Sequence, residues 1–194
     1  MRPEKFCRRE DFSFAEVRAD EVRAFFGAFH YARGSGAVAS LAIGMFRRGV
    51  LLGVATWLPP PLPAAKLVSR LFVGDESLSS SVICLSRLAV QDGVPTNAES
   101  MLIGACLRVL RRTKRWMFGV TYADEAQGHV GTIYKATNWR EAGVTGAGAI
   151  YRSSDGALVS AYANGKTRSR AEMTAAGTTR VGASRKRRFV IDLR

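Results

Sequence analysis

The run Val82-Ile83-Cys84-Leu85-Ser86-Arg87-Leu88-Ala89-Val90 constrains the fold more than any other part of the chain. Its leucines and β-branched residues read as a core strand, and they enclose a single cation, Arg87. A charge on a core strand must be paired or used, because desolvating it bare is very costly. The strand leads into Gln91-Asp92-Gly93-Val94-Pro95 and then into a helix start, Thr96-Asn97-Ala98-Glu99. The Thr96 hydroxyl is placed to accept from the Glu99 amide while the Glu99 carboxylate reaches back. Leu102, Ala105, Cys106, Val109 and Leu110 recur at helical spacing, and Arg111-Arg112-Thr113-Lys114-Arg115 suits the negative end of the helix dipole. A second strand over 116–122 ends in Ala123-Asp124, and a helix over 128–137 follows. In sheets built this way, sites form beyond the carboxyl ends of the strands, where Asp124 stands.

Around this unit, residues 14–29 carry Phe14, Val17, Val22, Phe25, Phe26 and Phe29 at largely helical spacing, predicting one or two helices. Residues 37–46 and 51–58 read as a hairpin about Arg47-Arg48-Gly49, and the prolines of 59–63 stop it. A short helix is expected over 64–72, with further strands over 148–152, 158–162 and 188–193. At 194 residues, the chain is expected to form one α/β (α+β) domain, a central mixed sheet flanked by helices. No apolar run reaches the ~18 residues of a membrane span, and no signal peptide is read at Met1-Arg2-Pro3-Glu4-Lys5. Cys7, Cys84 and Cys106 lack paired spacing, which argues against a disulfide framework or zinc knuckle and for a cytoplasmic protein.

Charge narrows the function. There are 29 Lys and Arg against 16 Asp and Glu, a net +13, which suits a polyanionic partner. Between 166 and 188 the basic residues Lys166, Arg168, Arg170, Arg180, Arg185, Lys186, Arg187 and Arg188 face one acid, Glu172. This stretch is the expected contact for a nucleic-acid backbone; the plainer alternative is a solvated basic tail.

The strand–loop–helix order resembles the GNAT acyltransferase fold, in which the loop and helix N-terminus hold a pyrophosphate. The usual glycine-rich loop is absent, since Gly93 is the single loop glycine and Asn97-Ala98-Glu99-Ser100 stands at the expected Gly-x-Gly turn. More specific blocks follow in order: His30-Tyr31, Leu85-Ser86-Arg87-Leu88, Asn97-Ala98-Glu99-Ser100, Tyr122-Ala123-Asp124, Gly128-His129-x-Gly131 and Tyr134-x-Ala136-x-Asn138-Trp139. Over roughly residues 25–140 they resemble the Mom family, phage proteins that convert adenine in DNA to a carbamoylmethyl form and so protect it from restriction.

The resemblance implies a reactive cluster of His30, Tyr31 and Asp124, with an iron requirement, and donor- or substrate-contacting roles for Arg87, Asn97, Ser100 and Tyr134. His, Tyr and Asp are competent iron ligands, and a histidine with a carboxylate can equally do acid–base work without metal. His30 also reads as an ordinary helix-end residue, His129 as a helix N-terminal one, and Tyr31 and Tyr134 as core rings with surface hydroxyls. The resemblance implies acetyl-CoA or another activated donor; some transferases of this scaffold take an aminoacyl-tRNA. The adenine amine is paired inside a duplex, so the base must be flipped, with Trp57, Trp139 and Tyr151 as candidate stacking surfaces. Two rival classes remain open, a conventional N-acetyltransferase and a non-catalytic nucleic-acid-binding protein. Oligomeric state is not readable from the sequence.

Overall fold

A computed structural model describes residues 8–30, 39–156, 158–163 and 166–194. The strands are β1 (Ser13–Glu16), β2 (Leu41–Arg47), β3 (Val50–Leu58), β4 (Val82–Val90), β5 (Phe118–Asp124), β6 (Arg140–Val144), β7 (Gly148–Arg152), β8 (Leu158–Ser160), β9 (Tyr162–Ala163), β10 (Lys166–Thr167), β11 (Thr179–Ser184) and β12 (Lys186–Asp192). The helices are α1 (Ala19–Phe29), α2 (Leu62–Val73), α3 (Ala98–Thr113), α4 (Thr132–Lys135) and α5 (Arg170–Ala175).

Seven strands form the main sheet in the order β1-β2-β3-β4-β5-β12-β6. Every neighbouring pair is antiparallel except β4 and β5, which α3 links as a parallel crossover. The mixed, helix-flanked sheet expected from the sequence is what the chain forms. α3 buries Leu102, Ile103, Cys106, Leu107 and Leu110 against Ile43, Met45, Ala55, Trp57, Ile83 and Leu85. On the opposite face α1 packs Phe25 and Phe26 on Val54 and Ala89, and α2 packs Ala65 and Val68 on Val82, Phe118 and Val120.

Three local expectations need correction. Phe14 lies in β1, paired with Met45, because the segment before Arg18 completes the sheet edge and so overrides the helical spacing. The N-cap of α3 is Asn97, without a side-chain cap bond, so the Thr96–Glu99 capping box does not form. Its Glu99 is used elsewhere, as described below. Trp57, Trp139 and Tyr151 are 0%, 4% and 4% exposed, which makes them core residues and removes them as surfaces for a flipped base. Trp57 and Trp139 stack on each other at 6.1 Å.

The basic C-terminal stretch is largely regular structure. Between β6 and β12 the chain builds a small sheet, β11-β7-β8, and the short helix α5, around Tyr151, Ala161 and Met173. This added segment leaves and re-enters at adjacent points, since the Thr145 amide bonds the Lys186 carbonyl at 2.9 Å and the Lys186 amide bonds Thr145 Oγ1 at 3.0 Å. Cys84 and Cys106 are free and buried, and burial pushes both thiols up to about 12, so neither serves as a thiolate at neutral pH. Among the described residues no helix is long and apolar enough to cross a membrane.

Candidate active site

Where β4 and β5 run side by side they share only three register pairs, Val82 with Phe118, Ile83 with Gly119 and Cys84 with Val120. Beyond them the strands part. A buried side chain takes over from the ladder there: Thr121 Oγ1 donates to the Leu85 carbonyl at 3.1 Å. On its other edge β4 bulges, because Leu85 opposes Trp57 and Arg87 opposes Thr56, which leaves Ser86 without a partner position in β3. A bulge flips the alternation of every residue that follows it. Leu85 points into the α3 core, whereas Arg87 comes over the ring of Phe26 on α1, 5.9 Å from its centroid. The Arg87 noted in the sequence is thus turned out of the core into the gap between the strands.

That gap is a cleft of about 320 Å³. Its walls are the second halves of β4 and β5, the segment from Gly128 to Tyr134, His30 at the end of α1, and Glu99 in the first turn of α3. Tyr122, which packs with the α2 cluster, and Arg87 line it from one face of the sheet; Ile133 and Tyr134, packed on the α3 core, line it from the other. The cleft therefore passes through the sheet, and two reactants can meet in it from opposite sides.

Four of the sequence-predicted residues converge here: His30, Arg87, Asp124 and Tyr134. His30 is the C-cap of α1, 9% exposed, with its ring edge-on to Phe26 at 5.3 Å. Asp124 ends β5; Ser184 Oγ donates to its Oδ1 at 2.7 Å and the Lys186 ammonium stands 3.4 Å from its Oδ2. Tyr134 packs against Phe189 and Trp139 at 5.2 and 6.0 Å and shares a hydrogen bond with Thr121. Burial pushes the Tyr134 phenol above its ordinary range, which keeps it neutral and a hydrogen-bond donor at pH 7.

Other predicted residues lie elsewhere. Tyr31 and the side chain of Lys166 lie outside the described residues. Asn97 and Ser100 sit at the start of α3 but do not line the cleft, and Ser100 Oγ donates to the Asn97 carbonyl at 2.9 Å. Lys186 pairs with Asp124, and Arg187 with Glu125 at 2.8 Å and Glu141 at 3.4 Å. Arg188 donates to the Ala142 carbonyl at 3.2 Å, and Arg168 is half-buried. Arg170, Arg180 and Arg185 are exposed on the added segment. Sequence reasoning missed Glu99 and Ser86 as cleft residues, and Ser184 as a partner of Asp124. The first looked like a capping residue, and the other two depend on strand registers that no local pattern encodes.

Residues 11–189 match the model of the Mom protein family, and the match covers most of the chain. The chain belongs to the Mom protein family. No curated protein matches the sequence. Solved structures place this Mom-family chain on the GNAT fold. The ribosomal-protein-S18-alanine N-acetyltransferase of Escherichia coli aligns with a TM-score of 0.57 at 9% identity, covering 94% of each chain. A Bacillus subtilis acetyltransferase in complex with CoA gives 0.54 at 9% identity, over 93% of this chain and 97% of that one. A GNAT-like decarboxylase in complex with isobutyryl-CoA gives 0.53 at 14% identity, over 94% and 100%.

The iron implied by the resemblance does not fit the described residues. Among them no three His, Cys, Asp or Glu side chains converge, and the Asp124 oxygens already face a hydroxyl donor and an ammonium that repels a cation.

Proposed function

We propose that this protein is a DNA-modifying transferase that converts adenine to N6-carbamoylmethyladenine, with the base flipped into the through-sheet cleft. The supporting observation is that His30, Arg87, Asp124 and Tyr134, drawn from four separated sequence blocks, meet in one cleft of a Mom-family chain. An activated donor, for which the CoA compounds bound by the structural neighbours are the precedent, must present a methylene carbon bearing a leaving group, since attack at an acyl carbonyl would leave an amide at N6. A carbamoylmethyl group joins N6 through a methylene, so a plain acetyl transfer does not complete the product.

This chain's own residues do the rest. As the N6–carbon bond forms, the bond from that carbon to its leaving group breaks and the leaving group departs with the donor; the amine loses a proton, and Asp124 at the mouth of the cleft accepts it. The neutral Tyr134 hydroxyl and the backbone at the Ser86 bulge provide donors for developing negative charge. Arg87 offers its planar fork to a phosphate or carboxylate. With the tryptophans committed to the core, Tyr122 and Tyr134 are the aromatic walls for the extruded base, which costs a few kcal/mol to unstack.

Nucleoside mass spectrometry of plasmid DNA from bacteria expressing the protein tests this reading. A new adenine species supports it. Unmodified bases with CoA-dependent turnover of a free amine would make the protein a conventional acetyltransferase; unmodified bases with tight DNA binding would make it a non-catalytic binder.

Backbone contacts fall to Arg170, Arg180 and Arg185, which are exposed on the segment that re-enters beside Asp124. Replacing all three with alanine is expected to weaken duplex binding and to flatten the slope of log affinity against log salt by about 2–3. An unchanged slope would place the phosphate contacts on another surface.

A further inference from the structure

We infer that Ser184 is a positioning residue for Asp124, carried to the site by the segment between β6 and β12. The inference rests on the reading of Asp124 as the base. The backbone of Asp124 is fixed by its pairing with Lys186. That leaves the carboxylate to be set by its side-chain contacts at the end of a strand, and those with Lys186 and Ser184 differ in kind. Lys186 is a long side chain, 44% exposed, at 3.4 Å; it brings charge but holds direction poorly. Ser184 has a one-atom stem, and its 2.7 Å bond to Oδ1 is short, as charge-assisted O–H···O bonds are.

The single Ser184 proton has a second acceptor within reach, the Arg185 carbonyl at 3.1 Å. The carboxylate is both nearer and charged, so it takes the bond. An ionised carboxylate has about four acceptor sites. The one taken by Ser184 fixes the plane of the group beside the cleft that Asp124 lines, where an amine proton arrives. A general base misdirected by a fraction of an ångström loses most of its value. The segment carrying the exposed Arg170, Arg180 and Arg185 thus also orients the catalytic carboxylate, through the last residue of β11.

The test compares the unaltered chain with Ser184→Ala, Ser184→Thr and Asp124→Asn. Its readouts are the rate at which modified adenine accumulates in plasmid DNA at matched soluble protein, and the affinity of each purified protein for a fluorescein-labelled DNA duplex. Ser184→Ala is expected to slow modification about tenfold to a hundredfold, with duplex affinity within about twofold of the original. Ser184→Thr, which keeps the hydroxyl and suits a strand, is expected to recover most of the rate. Asp124→Asn inactive beside a fully active Ser184→Ala would overturn the positioning role alone. Ser184→Thr as slow as Ser184→Ala would also overturn it, since the hydroxyl would then not be what matters. An active Asp124→Asn, or no modified adenine from the unaltered chain, would remove the reading of Asp124 as base and this inference with it.

Discussion

Asp124→Ala is expected to reduce modified adenine in plasmid DNA to background while the protein still folds and binds DNA. A positioned general base contributes about 10²–10⁴ in rate, and the nearby carboxylates are committed or placed elsewhere. Glu125 is engaged with Arg187, and Glu99 belongs to the α3 side of the cleft. The structural cost is expected to be small, because the side chain lies at a strand end and its bridge to Lys186 is one that a half-exposed lysine makes. A partly exposed bridge of this kind contributes about 0–1 kcal/mol. Thermal melting and duplex affinity should therefore stay near those of the original protein. Full modification by Asp124→Ala would remove this carboxylate from the reaction; a collapsed melting curve would make it structural.

The second large effect concerns stability. Gly131→Ala is expected to destabilise the fold by roughly 2–5 kcal/mol, seen as a fall in melting temperature of about 5–15 °C. Gly131 is the N-cap of α4 with φ +82°, in the left-handed region that an L side chain adopts only with strain. A Cβ there would also stand 2.2 Å from Cζ and 2.4 Å from Cε2 of Phe189. Phe189 is fully buried in the centre of β12, so its ring has nowhere to move without disturbing Tyr134, 5.2 Å away. The substitution should therefore also perturb a wall of the cleft. An unchanged melting temperature would mean that α4 and Phe189 part easily and that the glycine is not needed for packing.

The same residues show what a sequence can disclose. β4, α3 and the start of the β5 strand were legible because each buries one face, or both, and so imposes a period on the side chains. Asp124 was legible as a strand-end residue because it follows such a run, and it lines the cleft. His30, Arg87 and Tyr134 were marked by family resemblance, and the fold brings them together. β1 misled, since Phe14 and Val17 satisfy a helical period while the edge of the sheet needs a strand. β6 was missed because its residues Arg140-Glu141-Ala142-Gly143-Val144 are mostly exposed and carry no alternation. The Ser86 bulge depends on β3, about thirty residues earlier, and the Ser184–Asp124 bond joins residues 60 apart. Facts of that kind reside in pairing between distant segments, so no local window contains them.

The re-entry of the chain at Thr145 and Lys186 carries one more consequence. A loop whose two ends are already zipped together by its host places almost no closure entropy on the host, and the cost grows only slowly with length. The seven-strand sheet is complete on either side of that junction. The segment can therefore lengthen, shorten or change its surface in descent without reopening the core.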